Sequence, residues 1–390
     1  MMSEPLHHAL LPEGLPDVLP PDADHEAALV ARLMAVFASH GYDRVKPPLL
    51  EFEDSLFTGI GAAVKQNSFR VVDPKSGMSM GIRADMTPQV ARIATTRLVH
   101  APRPLRLAYA GQVLRVSGGQ LRGERQFGQV GAELIGAFEP EADAEIILLA
   151  AGALGELGIT GLSVDLCVPT LVPTLCRAWG LDGETAARLR EALDRKDAAG
   201  VAVEGGAPAA TLARLMAAAG QADRTLKALE SIDLPPEAAP DRRRLAEVVR
   251  LIHAAAPDLS VTVDLVEYRG FEYQTGVSFT LFARGVRGEL GSGGRYRAGK
   301  AVQADGSVGE GATGVTLYSD TVLRAVPSPA LRQRVYLPRG SDRGQGEQLR
   351  NEGWITVAGL VPVENAEAEA IRLGCSHVLI DGKPRPVGRT

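Results

Sequence analysis

Apolar residues recur at helical spacing through Leu29, Val30, Leu33, Met34, Val36 and Phe37, a repeat that marks one buried helix face. It predicts a helix over Asp24–His40, stopped by Gly41, which tolerates the left-handed backbone beyond a helix end. Tyr42–Val45 reads as a short strand running into Pro47-Pro48, where missing amide protons forbid a regular central strand. Residues 68–83 alternate around the turn cluster Asp73-Pro-Lys-Ser-Gly77 and predict a hairpin. Further helices are expected at Thr87–His100, with Pro88 in its first turn, and at Asp143–Leu157. Strands are expected at 104–116, 125–135 and Leu162–Cys167. Ser117–Glu124, polar and Gly-rich, links the first two.

From about residue 169 to 256 the texture changes to Ala, Leu, Arg and Glu with almost no alternation, which reads as a helical insertion. Strand patterns resume at Ser260–Val266, Gly276–Ala283, Gly288–Leu290 and Thr313–Tyr318. After the linker Val326-Pro-Ser-Pro329, residues 334–380 alternate strand, helix, strand, helix, strand. The expected fold class is α+β: an antiparallel sheet with flanking helices, a helical insertion and a small C-terminal α/β module. The expected division is a core of residues 1–325 and a short domain of 326–390.

Composition narrows the function classes. The chain has 390 residues, 45% of them hydrophobic and 23% charged, ordinary for a water-soluble globular protein. With 42 basic and 47 acidic side chains the net charge is −5, which gives no general affinity for nucleic acid. Arg outnumbers Lys 35 to 7, so position must decide which guanidinium groups grip anions. Cys167, Cys176 and Cys375 are scattered outside metal-binding spacings, which fits a reducing cytoplasm and no metal site. Met1–Pro21 lacks the apolar core of a signal peptide. No apolar run reaches the ~18 residues of a membrane helix.

Four segments set polar residues into otherwise apolar strands. In Ile82-Arg-Ala-Asp-Met-Thr-Pro88, an extended backbone would put Arg83, Asp85 and Thr87 on one face. Gln129-Val-Gly-Ala-Glu133 does the same with Gln129, Gly131 and Glu133. Tyr268-Arg-Gly-Phe-Glu-Tyr-Gln274 sets Arg269 beside a glycine, followed by aromatics and an acid, and Arg115 ends a strand before the Gly-rich loop. Singly, each also fits a solvated sheet face or a structural ion pair. Jointly they describe a small-molecule pocket with acids and amides for a cation and arginines for a carboxylate or phosphate, the two needs of an amino acid.

In order and separation these segments resemble the core of a class II aminoacyl-tRNA synthetase of the histidyl type, over roughly residues 10–325. The synthetase's R-G-L-D-Y-Y segment corresponds to Arg269-Gly-Phe-Glu-Tyr-Gln274, its Q-x-G-x-E segment to Gln129-Val-Gly-Ala-Glu133, and its Gly-Gly-Arg-Tyr turn to Gly293-Gly-Arg-Tyr296. Two departures fall on the nucleotide side. F-R-x-E becomes Leu114-Arg-Val-Ser117, and G-L-E-R becomes Tyr318-Ser-Asp-Thr321, which removes an acid and an arginine and puts a tyrosine where a glycine leaves room. Loss of a cation facing phosphate in a dry site costs several kcal/mol of transition-state stabilisation. The C-terminal module is shorter than an anticodon-reading domain and carries no dense basic cluster, a poor grip for tRNA.

A synthetase-like body without its nucleotide groups resembles the family of short-form ATP phosphoribosyltransferase regulatory subunits. Asp85-Met-Thr-Pro-Gln-Val-Ala-Arg92 is close to the form that family shows where the synthetase has E-G-T. The resemblance implies a non-catalytic subunit for the first step of L-histidine biosynthesis, with no cofactor and no catalytic residue of its own. It also implies a hetero-octamer with a separate catalytic subunit, a self-associating dimer, L-histidine as feedback effector and no tRNA. The implied histidine-binding residues are Asp85, Thr87, Arg115, Gln129, Glu133, Arg269, Tyr273 and Gln274, with Asp85 and Thr87 on the α-amino group and Arg269 on the carboxylate. Glu133 meets the imidazole, with Gln274 or Tyr273. Residues 24–50, with Pro47-Pro48, are the candidate self-contact. An active histidine–tRNA ligase and a synthetase-like tRNA sensor are the competing readings.

Overall fold

A computed structural model describes residues 11–118, 123–267, 273–302, 308–327 and 333–388. The chain forms two compact units, Met1–Pro327 and Ser328–Thr390.

The first unit opens with α1 (Asp22–Ser39), which buries Leu29, Leu33, Met34, Val36 and Phe37. Next come β1 (Asp43–Arg44), β2 (Leu50–Phe52), the single turn α2 (Glu53–Leu56), β3 (Arg70–Val72) and β4 (Ser79–Ile82). Strands β2, β4 and β3 form a small antiparallel sheet. Its turn is closed by Asp73, whose carboxylate accepts from the Lys75 and Ser76 amides. Then follow α3 (Thr87–Thr96), β5 (Leu105–Leu114), β6 (Gln126–Ile135), α4 (Pro140–Glu156) and β7 (Leu162–Cys167). The Ala- and Leu-rich stretch is helical: α5 (Leu171–Ala178), α6 (Gly183–Asp194), α7 (Ala198–Glu204) and α8 (Ala209–Ala217). After the two-residue β8 (Gly220–Gln221) it continues with α9 (Ala222–Glu230) and α10 (Ala239–Ala255). The unit closes with β9 (Ser260–Asp264), β10 (Gln274–Ala283), β11 (Gly291–Val302), β12 (Val308–Tyr318) and α11 (Ser319–Ala325).

Among the described residues nine strands share one sheet in the order β1-β5-β6-β12-β11-β10-β7-β9-β8. Its centre is antiparallel, as expected, but β1 pairs parallel to β5 and β7 parallel to β9. A second difference is β11. Gly288–Leu290, read as a strand, lies just before β11 and is not strand, whereas Gly293-Gly-Arg-Tyr296, read as a turn, is part of this long strand. Its glycines lower strand propensity and hide it from a pattern search. They are there because there is no room for side chains: a Cβ on Gly293 would lie 2.2 Å from the Gly314 carbonyl oxygen.

The two faces of this sheet bury different cores. One packs Val130, Ala132, Leu134, Val164, Leu166, Val315 and Leu317 against α1, α4, α10 and the other helices. The other packs Leu107, Tyr109, Phe127, Ile135, Tyr296 and Tyr318 against Met86, Val90, Ala91 and Ala94 of α3 and its entry. On the first face, buried Arg295 donates to both Asp143 oxygens, at 2.9 and 3.0 Å, and to the Ala137 and Glu139 carbonyls. Arg244 of α10 donates to Asp143 as well, at 3.0 Å. One nearly inaccessible carboxylate on α4 thus ties a central strand to the helical layer.

The second unit is built from β13 (Arg334–Leu337), α12 (Arg343–Asn351), β14 (Ile355–Ala358), α13 (Ala366–Arg372), β15 (His377–Ile380) and β16 (Lys383–Pro386). Its sheet order is β14-β13-β15-β16, with β16 antiparallel to β15. Strand β16, with two prolines in four residues, was not expected; it sits at the edge, where proline is tolerated.

Removing a buried ion-pair partner strands the remaining charge and typically costs about 3–5 kcal/mol. Asp143→Ala leaves Arg295 buried without its carboxylate. Urea denaturation of Asp143→Ala is therefore expected to show a stability loss of about 3–5 kcal/mol against the parent. A loss well under 1 kcal/mol would show that the network is energetically idle.

Candidate functional site

The site lies on the α3 side of the sheet, where side-chain parity brings distant segments together. Cross-strand partners share a face, and Glu133, Gly314 and Gly294 lie across β6, β12 and β11 in register, as do Gly131, Thr316 and Ser292 one step along. Tyr109 of β5 stands opposite Gly131. Three of these positions are glycine for steric reasons. A Cβ on Gly131 would fall 2.4 Å from the Tyr109 hydroxyl, one on Gly314 would fall 1.7 Å from Glu133 Oε2, and one on Gly294 would meet Ser278 at 2.7 Å. Gly293, Gly294 and Gly314 form the floor of a cavity open to solvent, about 370 Å³ with its mouth included, walled by Asp85, Thr87, Glu133, Tyr273, Gln274, Ser292, Tyr296, Val315, Thr316 and Tyr318.

Glu133 is the centre of the polar network. Its Oε1 accepts from the Tyr109 hydroxyl at 3.2 Å and its Oε2 from the Tyr296 hydroxyl at 2.9 Å. The Tyr109 hydroxyl also lies 2.8 Å from Thr316 Oγ1 and 3.2 Å from Thr87 Oγ1. Burial pushes the Glu133 carboxyl up to about 8; the Tyr296, Thr87 and Tyr109 hydroxyls pull it down, and the nearby Asp85 charge adds to the rise. Burial, together with the Glu133 charge, raises the Tyr109, Tyr273 and Tyr296 phenols well above their ordinary range, and the Asp85 charge adds to the rise at Tyr109 and Tyr273. Asp85 precedes α3 and its Oδ1 accepts the Thr87 amide at 2.9 Å. Two buried carboxyl groups thus share one cavity, and none of the described residues lining it is basic.

Of the residues expected at the site, Asp85, Thr87, Glu133, Tyr273 and Gln274 line this cavity. Gln129 and Arg115 are not among its lining residues. Gln129 accepts the Met86 amide at 3.0 Å just beneath Asp85 and Thr87, and its buried Nε2 has no partner among the described residues. Arg115 stands at the edge, stacked 4.9 Å over Phe127 and donating to the Ala84 carbonyl. Arg269 lies outside the described residues. The expected alignment of Arg83 with Asp85 and Thr87 does not form. Strand β4 ends at Ile82, so 83–86 is irregular. Arg83 turns instead to the Gln112 and Pro47 carbonyls, at 2.8 and 3.0 Å.

Tyr318, expected to fill room on the nucleotide side, packs edge-on against Phe127 at 5.9 Å, and its hydroxyl lies 2.9 Å from Ser292 Oγ. Thr321 is buried and its hydroxyl accepts from Arg324. The residues that sequence reasoning missed are Tyr109, Thr316 and Ser292. The pairing of Leu114 with Gln126 sets Tyr109 opposite Gly131, so the hairpin register was the signal that would have found Tyr109. Among the described residues no group of three or more His, Cys, Asp or Glu side chains could hold a metal ion, and no helix is long and apolar enough to cross a membrane.

Residues 14–322 match the family model described as histidyl-tRNA synthetase. The chain is 58% identical over 375 residues to the ATP phosphoribosyltransferase regulatory subunit of Rhodospirillum centenum, covering 96% of this chain and 95% of that protein. It is 56% identical over 378 residues to the protein of the same name from Paramagnetospirillum magneticum, covering 97% and 98%. Among solved structures, an ATP phosphoribosyltransferase regulatory subunit/histidyl-tRNA synthetase from Bacillus halodurans superposes with a TM-score of 0.79 at 24% identity. That match covers 95% of this chain and 97% of the other, and it shows a shared fold.

The raised Glu133 carboxyl makes stability pH-dependent. The folded chain holds this proton more tightly than the unfolded one, so stability is lost as pH rises from about 4.5 to about 8. Glu133→Gln keeps the shape and removes the titration. Parent and variant should have similar stability near pH 4.5. The variant should then gain relative to the parent by up to about 1.4 kcal/mol per pH unit through that window. Denaturant titrations between pH 4.5 and 9 check this; parallel curves would contradict it.

Proposed function

The chain belongs to the family of ATP phosphoribosyltransferase regulatory subunits, and we propose that its cavity is the receptor through which L-histidine controls the assembled transferase. As a member of that family it is a non-catalytic subunit of histidine biosynthesis that works in complex with the catalytic subunit. The observation that carries the effector reading is the pair of buried carboxyl groups, Asp85 and Glu133, that line one cavity with no basic lining residue among those described. A buried charge without a partner is costly, and a bound cation offsets that cost.

In this reading the α-amino group of histidine meets Asp85 and the Thr87 hydroxyl. Its imidazole meets Glu133 and, beside it, Gln274 or Tyr273. Its carboxylate is held by Arg269 with the free amide of Gln129, and Arg115 adds positive charge at the edge. The Tyr318 ring, packed on Phe127, supports a pocket that stops at the amino acid and leaves no stacking space for a nucleotide. Arg269 and Arg115 are anion clamps in this reading, and neither activates ATP. The assembly is a hetero-octamer in which this chain dimerises, residues 24–50 supply the self-contact, residues 1–325 carry the receptor, residues 326–390 form a separate module that does not read tRNA, and the complex is cytoplasmic.

Effector control requires that histidine and the catalytic subunit alter each other's affinity by the same factor, ordinarily about 5–150-fold. Calorimetric titration of L-histidine into this chain, alone and with the short catalytic subunit, should give affinities that differ within that range. Asp85→Asn, Glu133→Ala and Arg269→Ala should each weaken binding by about tenfold or more, because each leaves a ligand group unpaired. Equal affinity with and without the partner contradicts the coupling, and unchanged affinity in the three variants moves the receptor elsewhere. Histidine-dependent exchange of pyrophosphate into ATP by this chain would establish the ligase reading instead.

A further inference from the structure

Thr87 opens α3 and Asp85 stands just before it, so a slide or roll of this helix displaces both from the cavity. On the sheet side α3 packs through Val90, Ala91 and Ala94. Contact of that kind is non-directional, and three small side chains do not by themselves fix the height or rotation of a helix. With 3.6 residues per turn, Gln89 and Arg92 point the other way, and both reach Glu51 of β2. Gln89 Nε2 donates to Glu51 Oε1 at 2.8 Å and to the Pro48 carbonyl at 2.8 Å. Arg92 Nε donates to Glu51 Oε2 at 2.9 Å, and its Nη2 donates to Oε1. Ser55 Oγ donates to Oε2 at 3.3 Å. A forked arginine–carboxylate pair sets geometry as well as energy. The entry of α3 is tied to the same stretch, because the Arg83 amide donates to the Leu49 carbonyl at 3.1 Å and its guanidinium to the Pro47 carbonyl. Glu51 is buried, yet it is not among the residues lining the cavity.

We infer that Glu51 is a positioning residue of the receptor: touching no ligand, it clamps α3 from behind at the height and rotation that set Asp85 and Thr87 on the ligand's α-amino group. The inference rests on the effector reading and deepens it. A binding constellation needs its side chains held to within about 0.5 Å by groups that do not themselves meet the ligand, and Glu51 is the group on the page that holds α3 directionally. The clamp is also selective. Glu133, Gln274 and Tyr296 belong to the nine-stranded sheet, whereas Glu51 belongs to the three-stranded one. Opening the clamp therefore falls on the amino-group contacts and spares the contacts to the ring.

The test uses the full-length chain and two ligands, L-histidine and imidazolepropionate, which keeps the ring and the carboxylate but lacks the α-amino group. Each is titrated calorimetrically. The parent should prefer L-histidine by at least about tenfold. Glu51→Ala should weaken L-histidine by about tenfold and leave imidazolepropionate within about twofold of the parent, so that the preference collapses. Arg92→Ala should do the same, and the double variant should fall no further than either single one, because both changes open one clamp. If Glu51→Ala does not fold, Arg92→Ala, cut from a side chain 24% exposed, decides by the same ratio. An unchanged preference in these variants overturns the positioning role while the effector reading stands. Equal weakening of both ligands also overturns it and marks Glu51 as a support of the whole fold. If the parent binds the two ligands equally, Asp85 and Thr87 do not read the amino group and the inference falls. If the parent fails to bind L-histidine, the effector reading itself falls, and the inference with it.

Discussion

Two carboxyl groups buried in one cavity, Asp85 and Glu133, are the constraint from which the rest of the site follows. No basic side chain is among the described residues lining it, and burial pushes the Glu133 carboxyl up to about 8 while the Tyr109 and Tyr296 hydroxyls donate to it. Tyr109 and Tyr296 are placed for that task by strand register, and the glycines at 131 and 314 keep the space free of side chains. Such a site is poorly satisfied when empty. In the proposed reading a ligand carrying positive charge and N–H groups completes it, and its binding energy is directed toward a change in the assembly.

The same sheet separates this cavity from the groups that hold the fold. On the helical face, Arg295 and Arg244 share Asp143 and meet backbone carbonyls, so their charges are matched. On the other face Glu133 and Asp85 meet hydroxyl and backbone N–H donors, and no basic residue is among the described residues lining their cavity. Arg295 and Tyr296 are adjacent in sequence, yet alternation along β11 sends one to a structural clamp and the other to Glu133. Tyr318 works in both directions. Its backbone continues β12 toward α11, and its ring, fixed by Phe127 and Ser292, closes the end of the cavity where departures from the synthetase pattern cluster.

Much of this was legible in the sequence. The helical repeat of Leu29 to Phe37, the alternation of Leu162–Cys167 and the loss of alternation after residue 169 each report a local burial pattern, and local patterns can be read from one chain. Asp85, Thr87 and Glu133 stood out because acids set among apolar strand residues need a reason. What remained hidden was non-local. Strand β11 is disguised by glycines whose cause is neighbouring strands, the Thr316 and Gly314 carbonyls of β12 and Ser278 of β10. Tyr109 and Thr316 read as ordinary strand residues until register sets them beside Glu133. Arg83 was drawn toward the site by assumed alternation, but its strand ends one residue earlier and its guanidinium goes to backbone carbonyls.

The protonation of Glu133 is the most direct gauge of the central claim. Carbon-13 NMR of side-chain-carboxyl-labelled glutamate, with the resonance assigned by Glu133→Gln, would follow it in the free chain and at saturating L-histidine. The expected result is a midpoint at about 8 in the free chain, moving down once the ligand's positive charge lies beside the carboxyl. A free-chain midpoint in the ordinary carboxylate range, unmoved by histidine, would contradict it.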